Sequence, residues 1–162
     1  MASQISNLIR SALVSRPGFD ALALRLTAGS IFFAHGAQKL FGWFGGYGLQ
    51  GTAGWMESIG LAPGVLMAGL AGGAEFFGGL LLIAGLLVRP AALLLAFTML
   101  VAIFTVHWQH GFFLSNNGYE FGLALFGVSL ALVFRGAGSW SADCLLVAGK
   151  KEAVAVGAAA SA

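Results

Sequence analysis

The chain has 162 residues, of which 59% are hydrophobic and only 9% are charged. Soluble domains carry about 25% charged residues, so this composition excludes an ordinary soluble protein and indicates a membrane protein. The formal net charge is only +2 and the sequence has no basic cluster, which excludes nucleic acid as a partner. The single cysteine, Cys144, excludes an internal disulfide and paired-thiol chemistry within the chain.

The first 19 residues precede the first long apolar stretch. They include Arg10 and Arg16 and lack a continuous apolar core before Pro17. We therefore predict a short cytoplasmic segment over 1–19 without a cleavable signal peptide. The first span would then act as its own uncleaved signal.

Four apolar stretches follow, separated by residues that favour turns. The predicted fold is all-α: a four-helix transmembrane bundle within residues 20–148, with a short interfacial helix in the first outer loop. The Ala-rich remainder, 149–162, is predicted to be a flexible tail. The predicted spans cover about residues 21–45, 63–88, 90–108 and 118–134.

The basic residues predict the orientation of these spans. If successive helices alternate in direction, the two outer loops contain no lysine or arginine, and the basic loop and terminal residues all lie on the other side. The positive-inside rule then places both termini in the cytoplasm, in a multi-pass protein of the bacterial inner membrane.

Ionisable residues inside the first predicted span are the main functional signal. Arg25, Gly29, Phe32, His35 and Lys39 are spaced by threes and fours, so they share one stripe of a helix. An ionisable group within a span costs about 2.5–3.5 kcal/mol. We therefore expect this stripe to face protein and not lipid.

The second span contains one charge among several glycines. Glu75 shares a helix face with Gly72 and Gly79, where small residues allow another helix to approach closely. Gly69 and Gly73 form a GxxxG pair in the same span. The sequence thus predicts a buried carboxylate at a helix–helix contact.

The depth of these groups predicts a pocket. His35 and Glu75 fall near the bilayer centre, Lys39 lies about one turn further out, and His107 and Glu120 lie near the outer surface. We therefore predict a polar pocket that opens toward the periplasmic side. Glu75 would be the counter-charge of either Lys39 or His35.

Each of these residues also has a structural interpretation. Arg25 is shallow enough to reach cytoplasmic headgroups with its charged end. Glu120 could form a capping box with Asn117, and His107 could be an interfacial residue beside a tryptophan. Glu75 and its partner could be a buried pair that only holds the bundle together.

Several motifs resemble one known family. The run RLTAGSIFFAHGAQKLFGWFGG is similar to the first-helix signature of the DoxX family of small bacterial membrane proteins. Similar segments follow in order: AEFFGGLLLIAGLLVRPAA, AIFTVHWQHGFF, NNGYEFGLAL and GAGSWSAD. Together they cover roughly residues 22–146, although Ala137 and Trp140 stand where the family usually has proline and tyrosine.

The resemblance implies a four-helix membrane bundle and emphasises six residues: His35, Lys39, Glu75, His107, Glu120 and Asp143. Of the remaining polar groups, Arg25 is grouped with Asp143 as a structural or headgroup-pairing candidate.

The resemblance also implies a redox-associated role, because related families resemble parts of a thiosulfate:quinone oxidoreductase. The leading hypothesis is a membrane component that binds a quinone-type or other small lipid-soluble molecule. His35, Lys39, Glu75, His107 and Glu120 would hydrogen-bond this ligand or relay protons. The chain has no self-contained catalytic motif, so electrons would come from a redox partner protein or a larger membrane complex.

Two other classes of function fit the same residues. One is a carrier for a small solute or for protons, and the other is a non-catalytic anchor or assembly subunit. No intrinsic cofactor or metal is expected; His35 and His107 differ in depth by roughly two to three turns, which argues against haem. The glycine-rich faces would permit a homo-oligomer.

Overall fold

The structure, a computed structural model, describes residues 19–146. Within this range the chain is helical and contains no β-strand, which confirms the all-α prediction. The predicted tail over 149–162 lies outside the described residues, as does the N-terminal segment except for Phe19. The α-helices of this range are α1 (Asp20–Phe41), α2 (Gly48–Ser58), α3 (Gly64–Ala84), α4 (Val88–Ala102) and α5 (Glu120–Arg135).

Two of the described helices are long and apolar enough to cross a membrane. They are α3 and the continuous helix Val88–His110, which begins as α4. Helix α1 has 22 residues, a comparable length, but it carries the polar stripe. Helix α5 has 16 residues. The number of spans beyond these two therefore stays a prediction.

The helix that begins as α4 changes its winding near its end. A π-helical turn covers Ile103–His107, and a 3₁₀ turn covers Trp108–His110. The helix begins two residues before Pro90, and a proline in the first turn is tolerated because its N–H would lack an intrahelical partner there. A π turn holds one residue more than an α turn, which changes the direction of the side chains that follow it.

The predicted short helix between the first two long helices is present as α2. Its buried side consists of Thr52, Ala53 and Met56, and the last two form a small apolar cluster with Ala68 of α3. The Glu57 carboxylate accepts a 3.0 Å hydrogen bond from the backbone N–H of Gly64, at the start of α3. These contacts hold α2 against α3.

Helices α1 and α3 form the most extensive helix pair of the described bundle. Their contact depends on glycine: a Cβ atom built on Gly79 would lie 2.7 Å from the carbonyl oxygen of Gly29, and one on Gly36 would overlap the backbone of Phe76. In contrast, Gly69 and Gly73 have nothing within 4 Å of a built Cβ atom. The GxxxG pair therefore points away from the other helices of the bundle, and the glycines that share the face of Glu75 make the close contact.

The interpretation of Arg25 as a headgroup-binding residue is wrong. Its side chain is 0% exposed. The guanidinium donates a 3.2 Å hydrogen bond to the carbonyl of Leu82 and another hydrogen bond to the carbonyl of Trp140. It points inward because the segment after α5 folds back over this end of the bundle and supplies a carbonyl acceptor.

Asp143 lies in the same returning segment and binds the start of α4. Its carboxylate accepts hydrogen bonds from the backbone N–H groups of Leu87 (2.8 Å) and Val88 (3.1 Å). The backbone N–H of Asp143 in turn donates a 2.9 Å bond to the carbonyl of Gly85. We call Arg25, Trp140 and Asp143 the C-terminal clamp, because they connect the segment after α5 to α1, α3 and α4.

Replacement of Asp143 by alanine should lower the free energy of unfolding by about 1–2 kcal/mol, the usual effect of losing a carboxylate that caps a helix N-terminus. Thermal unfolding of the detergent-solubilised variant measures this. Asp20→Ala is the control, since Asp20 is about half exposed and its ion pair with Arg135 (3.0 Å) lies at the surface, where such pairs contribute little. Equal melting temperatures for the two variants would contradict the capping role.

Candidate ligand-binding site

A cavity of about 540 Å³ lies among all five helices and the π turn that follows α4. Ionisable residues predicted from the sequence contribute to its wall from three separate elements. His35 and Lys39 come from α1, Glu75 from α3 and His107 from the π turn. The structure thus brings together four of the five predicted pocket residues.

The strongest polar contact in the wall joins α1 to α3. Lys39 Nζ lies 2.6 Å from Glu75 Oε2. Glu75 is 4% exposed as a residue, whereas the Lys39 side chain is 24% exposed. The sequence left Lys39 and His35 open as partners of Glu75, and the structure shows Lys39. Gly72 makes room for it, because a Cβ atom there would lie 3.1 Å from Lys39 Cβ.

The end of α1 and helix α2 form the adjoining wall. Helix α1 ends at Gly42, whose backbone has a φ of 74° in the left-handed region that glycine tolerates. The chain then turns back, and Gln38 Nε2 donates to the carbonyl of Phe44 (3.2 Å). The hydroxyl of Thr52 donates to the carbonyl of Lys39 (3.3 Å). These bonds place α2 beside the Lys39–Glu75 pair.

His35 is exposed on the wall of the cavity and has no hydrogen-bond partner among residues 19–146. Its ring lies 6.1 Å from that of Phe121, centroid to centroid. Glu75 is bound by Lys39, so the imidazole of His35 is not required for that pair. Both of its ring nitrogens can therefore interact with a molecule in the cavity.

His107 is oriented by the loop that precedes α5. Its Nδ1 lies 2.8 Å from the carbonyl oxygen of Asn117. A carbonyl only accepts hydrogen bonds, so Nδ1 carries the hydrogen and a neutral ring has Nε2 as its acceptor. Asn117 has a φ of 61°, a left-handed conformation that asparagine adopts more readily than most residues. His107 is therefore both part of the cavity wall and a connection to the loop.

Glu120 does not belong to the wall of this cavity. Its carboxylate accepts a 2.6 Å hydrogen bond from the backbone N–H of Leu114, in the loop before α5. The capping box with Asn117 is wrong, because α5 begins at Glu120 and follows Tyr119. Glu120 instead stabilises the 3₁₀ turn at Leu114–Asn116.

The sequence analysis missed the uncharged part of the wall. The hydroxyls of Thr98 and Thr105 donate to backbone carbonyls of their own helix at 2.9 and 2.7 Å, which leaves their oxygens as acceptors beside the cavity. Their spacing of seven residues was the one available signal. Among the apolar wall residues, Phe32 belongs to the predicted stripe of α1. The others had no signal, since they resemble other residues of an apolar helix; they include Met56, Met99, Phe121 and Leu125.

This arrangement is suited to a small, mainly apolar molecule with a few hydrogen-bonding oxygens. The ammonium of Lys39 and the ring of His35 can donate to such oxygens, and the buried carboxylate of Glu75 keeps Lys39 in place. Within residues 19–146 no group of three His, Cys, Asp or Glu side chains is arranged to hold a metal ion.

Comparison with known proteins gives one family. The family model of DoxX matches residues 21–108. A Bacillus subtilis protein named "Putative oxidoreductase CatD" is 35% identical over 130 residues, which are 80% of this chain and 89% of that protein. A Haemophilus influenzae relative named "Uncharacterized protein" is 32% identical over 131 residues, 80% of this chain and 84% of the relative. No solved structure matches the chain.

Proposed function

Because this chain belongs to the DoxX family, we propose that it is a redox-associated membrane component that binds a quinone-type molecule in the cavity beside Lys39 and Glu75. The observation that carries the proposal is the composition of the cavity wall. It combines a buried ion pair and an unpaired imidazole with apolar side chains from several helices. The name of the Bacillus subtilis relative, an oxidoreductase, supports the redox part.

The proposed topology is a four-span bundle in the bacterial inner membrane, with α2 at the outer interface. Helix α1 is about 33 Å long at 1.5 Å per residue, enough to cross the hydrocarbon core. Helices α3 and Val88–His110 are the apolar spans, and α5 is the fourth. The positive-inside rule then places both termini in the cytoplasm and the cavity in the periplasmic half.

A quinone supplies reversible two-electron, two-proton chemistry when it is bound. Lys39 and His35 would hydrogen-bond its carbonyl oxygens, and His35 would exchange protons at a ring nitrogen. Glu75 would hold the Lys39 ammonium beside the ligand at a low cost, because the charge of each residue is balanced by the other. The wall contains no electron-carrying group, so a redox partner protein or a larger membrane complex would supply the electrons.

A structural role for the Lys39–Glu75 pair is the second candidate. The 2.6 Å distance shows a pair that is complete without a ligand. In this case the protein would be a membrane anchor or assembly subunit, and the pair would only connect α1 to α3. A carrier is less well supported, because the other half of the bundle is filled with buried side chains. They include Arg25, Leu82, Leu95 and Leu132.

Glu75→Gln separates the first two candidates. If the cavity binds a quinone, the amount of quinone per folded protein should fall at least about tenfold below that of the wild type. The reason is that Lys39 loses the negative charge that holds its ammonium in position. The measurement is mass spectrometry of the quinones that copurify from native membranes, normalised to the monodisperse protein. Lys39→Gln should have a similar effect.

Glu57→Gln is the control for this experiment. It makes the same change of carboxylate to amide on α2, outside the cavity wall, and the amide oxygen can still accept the bond from Gly64. Equal quinone content in the wild type, Glu57→Gln and Glu75→Gln would contradict quinone binding at the pair. A lower melting temperature of Glu75→Gln with unchanged quinone content would support the structural candidate.

A further inference from the structure

A second concave surface lies beside the cavity, between α1 and α5. It is a groove of about 400 Å³ that we call the α1/α5 groove. Its lining is apolar apart from Thr27 and from Asp20 at one end. Seven residues form it: Asp20, Ala23, Leu24, Thr27, Ala28, Leu125 and Val128.

The groove meets the cavity at Leu125, which lines both surfaces. The groove residues on α1 recur at intervals of three and four, and His35 lies on the same face two turns beyond Ala28. On α5, Val128 and Leu125 belong to the groove, whereas Phe121, on the same face, belongs to the cavity.

The far end of the groove has a polar boundary. Asp20 lines this end and forms an ion pair with Arg135 at 3.0 Å. From Asp20 to His35 the face covers 15 residues of helix, about 22 Å at 1.5 Å per residue. Ala23 and Thr27 are exposed along it, so the groove is open at the side of the bundle. In a bilayer that side would face lipid hydrocarbon.

We propose that the ligand of this protein is a long-tailed lipid, whose polar ring occupies the cavity and whose hydrocarbon tail lies in the α1/α5 groove. This inference rests on the proposed function, since it assigns the tail of the same molecule. The occupant follows from the contact of the two surfaces at Leu125 and from their chemistry. Ionisable side chains line the cavity, whereas the lining of the groove is apolar apart from Thr27 and, at its far end, Asp20. The open side of the groove would admit the tail from the bilayer.

Moving the tail from the bilayer into the groove adds van der Waals contacts with the protein but little hydrophobic free energy, because the lipid hydrocarbon is as apolar as the groove. The expected effect of the tail on affinity is therefore moderate. We expect a decyl-substituted ubiquinone to bind wild-type protein in nanodiscs about threefold to tenfold more tightly than the same ring without a tail. Both quinones are measured at equal concentrations within the bilayer.

Ala23→Trp and Thr27→Trp test the position of the tail, since each new ring would fill the groove and leave the cavity wall unchanged. Both variants should lose the preference for the decyl compound and bind the tail-less quinone as the wild type does. The control is Leu26→Trp, an exposed position on α1 outside the groove. It should keep the preference.

The outcomes separate the two proposals. If the wild type binds both quinones equally, or if all three variants keep the preference, the groove does not hold the tail and the proposed function stands. If neither quinone binds the wild type, the proposed function fails and this inference fails with it. A decyl quinone with a photoreactive group at the end of its tail gives a second readout. Its crosslinks should fall on residues 20–28 or 125–128, and labels on the outer face of α3 would overturn the assignment.

Discussion

Replacement of Arg25 by leucine is expected to reduce the free energy of unfolding by about 3 kcal/mol or more. The guanidinium is fully buried and donates to the carbonyls of Leu82 and Trp140. Leucine would leave both carbonyls without this donor, and the carbonyl of Leu82 lies in the buried part of the bundle. Asp143 would also lose its electrostatic attraction to Arg25. Thermal or denaturant unfolding of purified protein in detergent measures the loss.

Two further variants make this prediction specific. Arg25→Lys should recover only part of the stability, because the ammonium donates from one nitrogen, whereas the guanidinium reaches the two carbonyls with two separate nitrogens, Nη1 and Nη2. Arg135→Leu should have little effect, since Arg135 and Asp20 are both about half exposed. An Arg25→Leu protein as stable as Arg135→Leu would show that the hydrogen bonds of Arg25 to Leu82 and Trp140 contribute nothing to folding.

Substitution of Gly79 by alanine is expected to destabilise the protein by about 1–3 kcal/mol, the usual range for overpacking a tight contact. The added methyl group would meet backbone atoms of α1, including the carbonyl oxygen of Gly29 at 2.7 Å. Backbone atoms cannot rotate away, so α1 and α3 must separate. The Lys39–Glu75 pair joins the same two helices, and the quinone content should therefore fall with the melting temperature.

Gly73→Ala is the matched control on the same helix. Its methyl group would meet nothing within 4 Å, so we expect no loss of stability or a small gain from the better helix propensity of alanine. A gain for Gly79→Ala equal to that of Gly73→Ala would mean that α1 and α3 are not in close contact. A loss for Gly73→Ala would instead reveal a partner on the outer face of α3.

The polar stripe of α1 and the carboxylate of Glu75 on α3 could be predicted, because ionisable residues are rare within apolar helices. Charged residues within apolar stretches are costly, so Lys39 and Glu75 had to find partners. Their depth left two partners for Glu75, His35 at the same level and Lys39 one turn further out, and the structure joins Glu75 to Lys39. The predicted spans begin within two residues of the helices, but α1 and α3 end four residues earlier than predicted, because Gly42 and Gly85 adopt left-handed conformations that stop them.

The errors have a common physical cause, which is contact with segments distant in sequence. The sequence of α1 favours a headgroup contact for Arg25, because it does not indicate that the distant carbonyl of Trp140 accepts a hydrogen bond from the guanidinium. Glu120 has the spacing of a capping box, but its carboxylate binds Leu114 in a loop whose path depends on the whole bundle. The GxxxG pair was also ambiguous, because the pattern does not indicate which glycines face a neighbour. Gly79 lies where the backbone of α1 comes close to α3, whereas Gly73 does not, and the spacing of the glycines does not reveal this difference.

The π turn at Ile103–His107 has a consequence for how this helix tolerates changes in length. Deletion of one residue within it would restore an ordinary α-helix, so the span itself would survive. The later side chains would keep nearly their present direction, because an α turn completes about the same rotation with one residue fewer. His107 would therefore stay on the cavity wall and beside the carbonyl of Asn117. A comparison of related chains should accordingly allow a gap of one residue in this turn before it pairs their histidines.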